Sequence, residues 1–85
     1  FFAMIYWVYI LQSLKDESFY IGYTRNIQSR VKEHNEGFTR YTKHKRPWKL
    51  VYQEEFSSKT EAIRREHFLK KQKNREFYKK IINKS

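Results

Sequence analysis

Tyr20-Ile21-Gly22-Tyr23-Thr24-Arg25-Asn26-Ile27, followed by Arg30 and His34, is the stretch whose reading decides the fold. It starts as a β-type run over residues 19–23 and reaches Asn26, a residue type suited to cap a helix N-terminus. Ile27 and Val31 then stand one helical turn apart, and Gly37 supplies a natural stop. Arg30 and His34 share a second stripe, which adjoins the apolar Ile27–Val31 stripe rather than opposing it. An arginine and a histidine at the edge of a core face can point across a neighbouring sheet. The plain alternative is an arginine whose stem lies along the core edge with its head in water.

Upstream, residues 5–11 form an unbroken β-branched and aromatic run containing Trp7-Val8-Tyr9. Tyr6, Val8 and Ile10 mark one face, and Trp7, Tyr9 and Leu11 the other, which predicts a central strand covered on both sides. Residues 12–18 are polar and turn-like, so the first two strands should pair as an antiparallel hairpin. Downstream, residues 38–47 read as a loop dense in charge, with Arg40, Lys43, His44, Lys45 and Arg46. Residues 48–56 alternate and predict a third strand with Trp48, Leu50 and Tyr52 on one face. Ser58-Lys59-Thr60-Glu61 has the form of a capping box and opens a helix to about Lys71. A last helical segment starts near Asn74, with Phe77 and Ile81 one turn apart and Tyr78 and Ile82 beside them.

The predicted order is β-β-α-β-α-α. It describes an α/β chain of the α+β type: a small three-stranded antiparallel sheet flanked by helices. With no repeat, low-complexity tract or linker in view, residues 1–85 read as a single domain. Phe1-Phe2-Ala3 precede Met4 and are set aside as a remnant ahead of the expected native start.

A chain of 85 residues is near the size at which one core barely suffices, and this one leans on aromatics, which make up 19% of it. It has no cysteine, which removes disulfides and thiolate metal sites and suits a reducing cytoplasm. Nineteen Lys and Arg against 9 Asp and Glu leave a net charge of +10. Such an excess on a small body attracts polyanions, and nucleic acid is favoured over a merely solubilising surface. No apolar run approaches the roughly 18 residues needed to span a bilayer, so no membrane partner is expected.

Glu66 carries the sharpest chemical signal. On the wheel of its helix it falls between Ala62 and Ile63 and beside Leu69, so a carboxylate faces the apolar side. That placement is costly unless a cation, a metal or hydrogen bonds receive it. Pairing with an arginine such as Arg30 is one solution. Binding a hard cation, Mg²⁺ or Mn²⁺, is another. His34, His44 and His67 do not form a zinc-ligand pattern, and two glycines are too few for a phosphate-binding loop. The remaining inventory of carboxylate, arginine, histidine and tyrosines suits phosphodiester hydrolysis.

Tyr9, Tyr20, Arg30 and Glu66, in that order, resemble the signature of the GIY-YIG nuclease superfamily. His34 matches a position where many members place His or Tyr. Glu61-Ala62-Ile63-Arg64-Arg65-Glu66 with Leu69-Lys70-Lys71 looks like the family's glutamate helix, and Arg46-Pro47-Trp48 like its third-strand approach. The likeness is closest to small stand-alone bacterial members related to the N-terminal domain of the excinuclease C subunit. In the first triplet Trp7 and Val8 replace the family's glycine and isoleucine.

The resemblance implies a metal-dependent DNA endonuclease of repair or recombination, using Mg²⁺ or Mn²⁺. Tyr9 and Tyr20 would activate water, with Tyr9 as general base, and a tyrosine of pKa ~10 would need a nearby cation for that. Arg30 would contact the scissile phosphate, His34 would assist proton transfer or touch phosphate, and Glu66 would bind the metal. Arg25, Arg40, Lys43, Lys45, Arg46 and Lys70 are the expected nucleic-acid contacts. The rival readings are a non-catalytic nucleic-acid-binding module and a protein-recruitment domain.

Overall fold

A computed structural model describes residues 4–84, so Phe1-Phe2-Ala3 lie outside the described residues. The elements are β1 (Tyr6–Ser13), β2 (Phe19–Thr24), α1 (Ile27–Glu36), a 3-10 turn (Lys43–Lys45), β3 (Trp48–Phe56), α2 (Lys59–Gln72) and α3 (Arg75–Lys84). The strands form one antiparallel sheet in the order β2-β1-β3. This is the expected three-stranded α+β architecture, with β1 central because its two faces are both apolar.

Val8 and Ile10 belong to one core, built with Ile21, Ala62, Leu69 and Tyr78 under α2 and α3. Tyr9 and Leu11 belong to the other, with Trp48, Tyr20, Ile27 and Val31 under α1. All four of these β1 side chains are buried. The strand outruns its apolar run by two residues, since Gln12 and Ser13 pair with Lys49 and Trp48. Ser13 is polar but fully engaged: its hydroxyl donates to the Lys45 carbonyl at 2.7 Å and accepts the Lys15 and Asp16 amides.

One expectation needs correction. Trp48, Leu50 and Tyr52 do not share a face, because the register jumps from Ile10↔Tyr52 to Leu11↔Leu50 and leaves Val51 as an extra residue. One inserted residue reverses strand parity. Trp48 and Leu50 therefore pack under α1, and Val51 and Tyr52 against the α2–α3 core.

The helix ends follow local chemistry. Asn26 accepts the Ser29 amide, and Gly37 closes α1 at φ 83° with its N–H on the Glu33 and His34 carbonyls. Ser58 accepts the Glu61 amide to start α2, and Lys73 ends it in the left-handed region at φ 46°. Asn35 ties α1 to β3, donating to the Trp48 carbonyl at 3.1 Å and accepting its amide at 2.6 Å. No helix among the described residues is long and apolar enough to cross a membrane.

Candidate active site

Tyr9 projects from the centre of β1 toward α1, and its hydroxyl lies 3.1 Å from His34 Nε2. His34 is itself fully buried, and its Nδ1 lies 2.8 Å from Thr42 Oγ1. The Thr42 hydroxyl donates to the Thr39 carbonyl at 3.4 Å, so it accepts from Nδ1–H. This network assigns the tautomer: Nε2 keeps its lone pair and accepts from the Tyr9 hydroxyl. Trp48 fixes the same loop by donating its indole N–H to the Thr42 carbonyl at 2.9 Å. Tyr20 packs edge-on to the His34 ring at 4.8 Å between centroids and stands 6.4 Å from the Tyr9 ring.

Space for this cluster comes from Gly22, the register partner of Tyr9. A Cβ at that position would sit 2.6 Å from the Tyr9 hydroxyl oxygen. The glycine is there because the phenol occupies the volume a side chain would need.

Electrostatics set the protonation states. Burial pushes the Tyr9 phenol up to about 12, against the pull of the Arg30 guanidinium as hydrogen-bond donor and charge. The cation that a tyrosine base needs is thus present, and burial outweighs it. Burial, with the Arg30 charge second, drops the His34 imidazole to about 4. At neutral pH the pair is a phenol donating to a neutral imidazole. Both ring nitrogens of His34 are thus occupied by groups inside the protein.

Arg30 sits at the rim, where Nη1 pairs with Glu33 Oε1 at 2.9 Å. It is not the partner of Glu66. That carboxylate is only 8% exposed, on the buried side of α2 with Ala62 and Leu69, as its wheel position requires. Its contacts are long ones to exposed side chains, 3.6 Å to Lys70 Nζ and 3.8 Å to His67 Nε2. Glu66 approaches from the opposite layer to Arg30, and its charge contributes the smallest of the upward pushes on Tyr9.

A family model described as the GIY-YIG catalytic domain matches residues 5–81. The chain belongs to the GIY-YIG family. Among its relatives, the UPF0213 protein SH2523 of Staphylococcus haemolyticus is 53% identical over 66 residues, covering 76% of this chain and 79% of that one. The UPF0213 protein YazA of Bacillus subtilis is 46% identical over 67 residues, covering 75% and 68%. The solution structure of the UPF0213 protein BH0048 from Bacillus halodurans superposes with a TM-score of 0.58 at 37% identity, covering 94% of this chain and 84% of that one. The GIY-YIG domain is a nuclease fold, and the family implies a nucleic-acid substrate.

GIY-YIG nucleases are generally metal-dependent. Among the described residues of this GIY-YIG chain, no group of three or more His, Cys, Asp or Glu could hold a metal ion. Glu66 is a single hard donor whose two oxygens make only long contacts. That set fits Mg²⁺, which is held by one or two carboxylates and completes its shell with water and substrate phosphate.

The expected nucleic-acid contacts divide. Arg25, Arg40, Lys43 and Lys70 are exposed. Lys45 is half-exposed and pairs with Asp16 at 3.4 Å. Arg46 donates to the Lys43 carbonyl at 2.7 Å and lies over Gly37. Sequence reasoning missed Gly22, Thr42 and Trp48, whose roles depend on strand register and on where the 38–47 segment folds.

Proposed function

We propose that this GIY-YIG chain is a metal-dependent DNA endonuclease, one domain acting in the cytoplasm in repair or recombination. The observation that carries the reading is the Tyr9–His34 hydrogen bond beside Arg30, because it offers the attacking water's proton a route out. A water oriented by the Tyr9 oxygen gives its proton to that oxygen while the Tyr9 proton passes to His34 Nε2. The resulting hydroxide forms the new P–O bond as the bond to the leaving sugar oxygen breaks, and solvent protonates that oxygen. Burial is the main reason His34 stays neutral and the Arg30 charge the second. A phosphodiester seated at Arg30 offsets that second contribution, so the imidazole becomes a better acceptor when substrate is bound. The Arg30 guanidinium neutralises charge developing on the phosphoryl oxygens. Glu66 would hold Mg²⁺ or Mn²⁺, which supplies Lewis-acid stabilisation of the phosphate when bound.

A nicking assay on supercoiled and branched DNA with either ion tests this. Glu66→Gln should abolish cleavage while circular dichroism stays unchanged, and Arg30→Ala should slow it on the order of 10²-fold. Unchanged cleavage by Glu66→Gln would sink the metal assignment. Tight DNA binding without cleavage by the wild-type chain under either ion would make it a non-catalytic binding module.

A further inference from the structure

A groove of about 630 Å³ runs along the free edge of β2 and under the α2–α3 junction. Phe19 and Tyr20 line it from the strand, Tyr41 from the loop after α1, Lys70 from α2, Lys73 from the turn that ends it and Arg75 from α3. None of its lining residues is acidic. Tyr41 is 78% exposed, and its ring stands 6.1 Å from that of Tyr20. The cations are fixed in place to different degrees. Arg75 donates to the Glu17 carbonyl at 3.1 Å and lies 5.4 Å from the Phe19 ring centroid, which uses one of five guanidinium donors. Lys70 reaches back to Glu66. Tyr20 thus belongs to both the groove and the His34 cluster, and Lys70 joins the groove to the carboxylate.

We infer that this groove holds one unpaired nucleotide of the substrate strand next to the phosphate that is cut. Its base stacks on Tyr41, and its phosphates lie against Lys70, Lys73 and Arg75. Flat aromatic walls with cations and no acid match a flat, anionic ligand. The volume falls within the roughly 300–1,000 Å³ of small-ligand clefts, which admits a nucleotide and not a base-paired helix. Base–aromatic stacking tolerates any base, and a phosphate contact adds salt dependence. The unpaired nucleotide is supplied either by a single strand or by a base extruded from a duplex. The position beside the cut rests on the nuclease reading above, whereas occupancy of the groove does not.

Fluorescence anisotropy in EDTA, where no cleavage occurs, tests occupancy with four labelled probes: a short single strand, the same strand with an abasic site, a blunt duplex, and that duplex with an unpaired tail. Tyr41→Ala should weaken single-strand binding about 10-fold and Tyr41→Trp should restore it. Wild-type protein should lose affinity for the abasic strand, and Tyr41→Ala should not. Lys73→Ala and Arg75→Ala should each flatten the salt slope by about 0.7. Loss confined to the single strand and the tail identifies a strand end as the source, and matching loss on the blunt duplex identifies an extruded base. Unchanged affinity of Tyr41→Ala for all four probes overturns the inference, as does equal wild-type affinity for the intact and abasic strands. Absence of cleavage in Mg²⁺ would remove the nuclease reading and leave the binding result standing.

Discussion

At position 22 a methyl group would collide with the Tyr9 hydroxyl, so one hydrogen atom decides where the phenol lies. Gly22→Ala should cost about 1–3 kcal/mol of stability by overpacking and lower cleavage on the order of 10²-fold by displacing Tyr9. Denaturant unfolding and nicking rates on the same samples check both, and a fully active, folded Gly22→Ala chain would contradict the role. His34 has a pH signature of its own. Its folded pKa of about 4 lies below the unfolded value of about 6.5, so its contribution is complete above pH 6.5 and is lost as pH falls through 4. The loss amounts to about 3 kcal/mol and should appear as a falling Tm between pH 6.5 and 4. His34→Gln should flatten that slope, and identical pH dependence in the two proteins would refute the assignment. Helix period placed Arg30 and His34 on one stripe and turned Glu66 inward, whereas Tyr9 was singled out by the family resemblance. Gly22 was not legible, because its partner is set by hairpin register rather than by its neighbours in the chain.

At the scale of elements, α1 is the part that converts period into a site. Its cap, apolar stripe and glycine stop are local features, and they matched the structure because local hydrogen bonds and backbone sterics decide them. Its attachment to β3 is not local. The Asn35 amide satisfies both backbone groups of Trp48, so Asn35→Leu should cost about 1–3 kcal/mol by leaving partly buried polar groups unpaired. Urea unfolding measures this, and a loss below about 0.5 kcal/mol would show that water replaces the amide at no cost. The parity of β3 was misjudged for a related reason. Alternation is a reliable guide only in an uninterrupted ladder, and the extra Val51 is accommodated by its partner strand and by two different cores.

For the molecule as a whole, a net charge of +10 forecasts a polyanionic partner, and the fold decides which cations have partners within the chain. Arg25, Arg40, Lys43, Lys70, Lys73 and Arg75 are exposed; Arg46 is exposed too, but its guanidinium donates to the Lys43 carbonyl and lies over Gly37 at the end of α1. If those six each neutralise a phosphate, single-strand affinity should fall with salt at a log–log slope of about −4. Arg46→Ala should leave that slope within about 0.3 of wild type, since the guanidinium is engaged within its own loop. A slope near zero, read by anisotropy over a salt series, would favour the protein-recruitment reading. The sequence alone determined the element order, the central strand, the helix ends and the inward turn of Glu66. Each of these follows from side-chain period and local backbone chemistry. Only the tertiary structure decided that His34 is sealed between Tyr9 and Thr42, that burial outweighs Arg30 at the Tyr9 phenol, and that Tyr41 stands open beside a cationic groove. Those properties belong to distances and solvent exclusion between segments far apart in the chain, which no local pattern encodes.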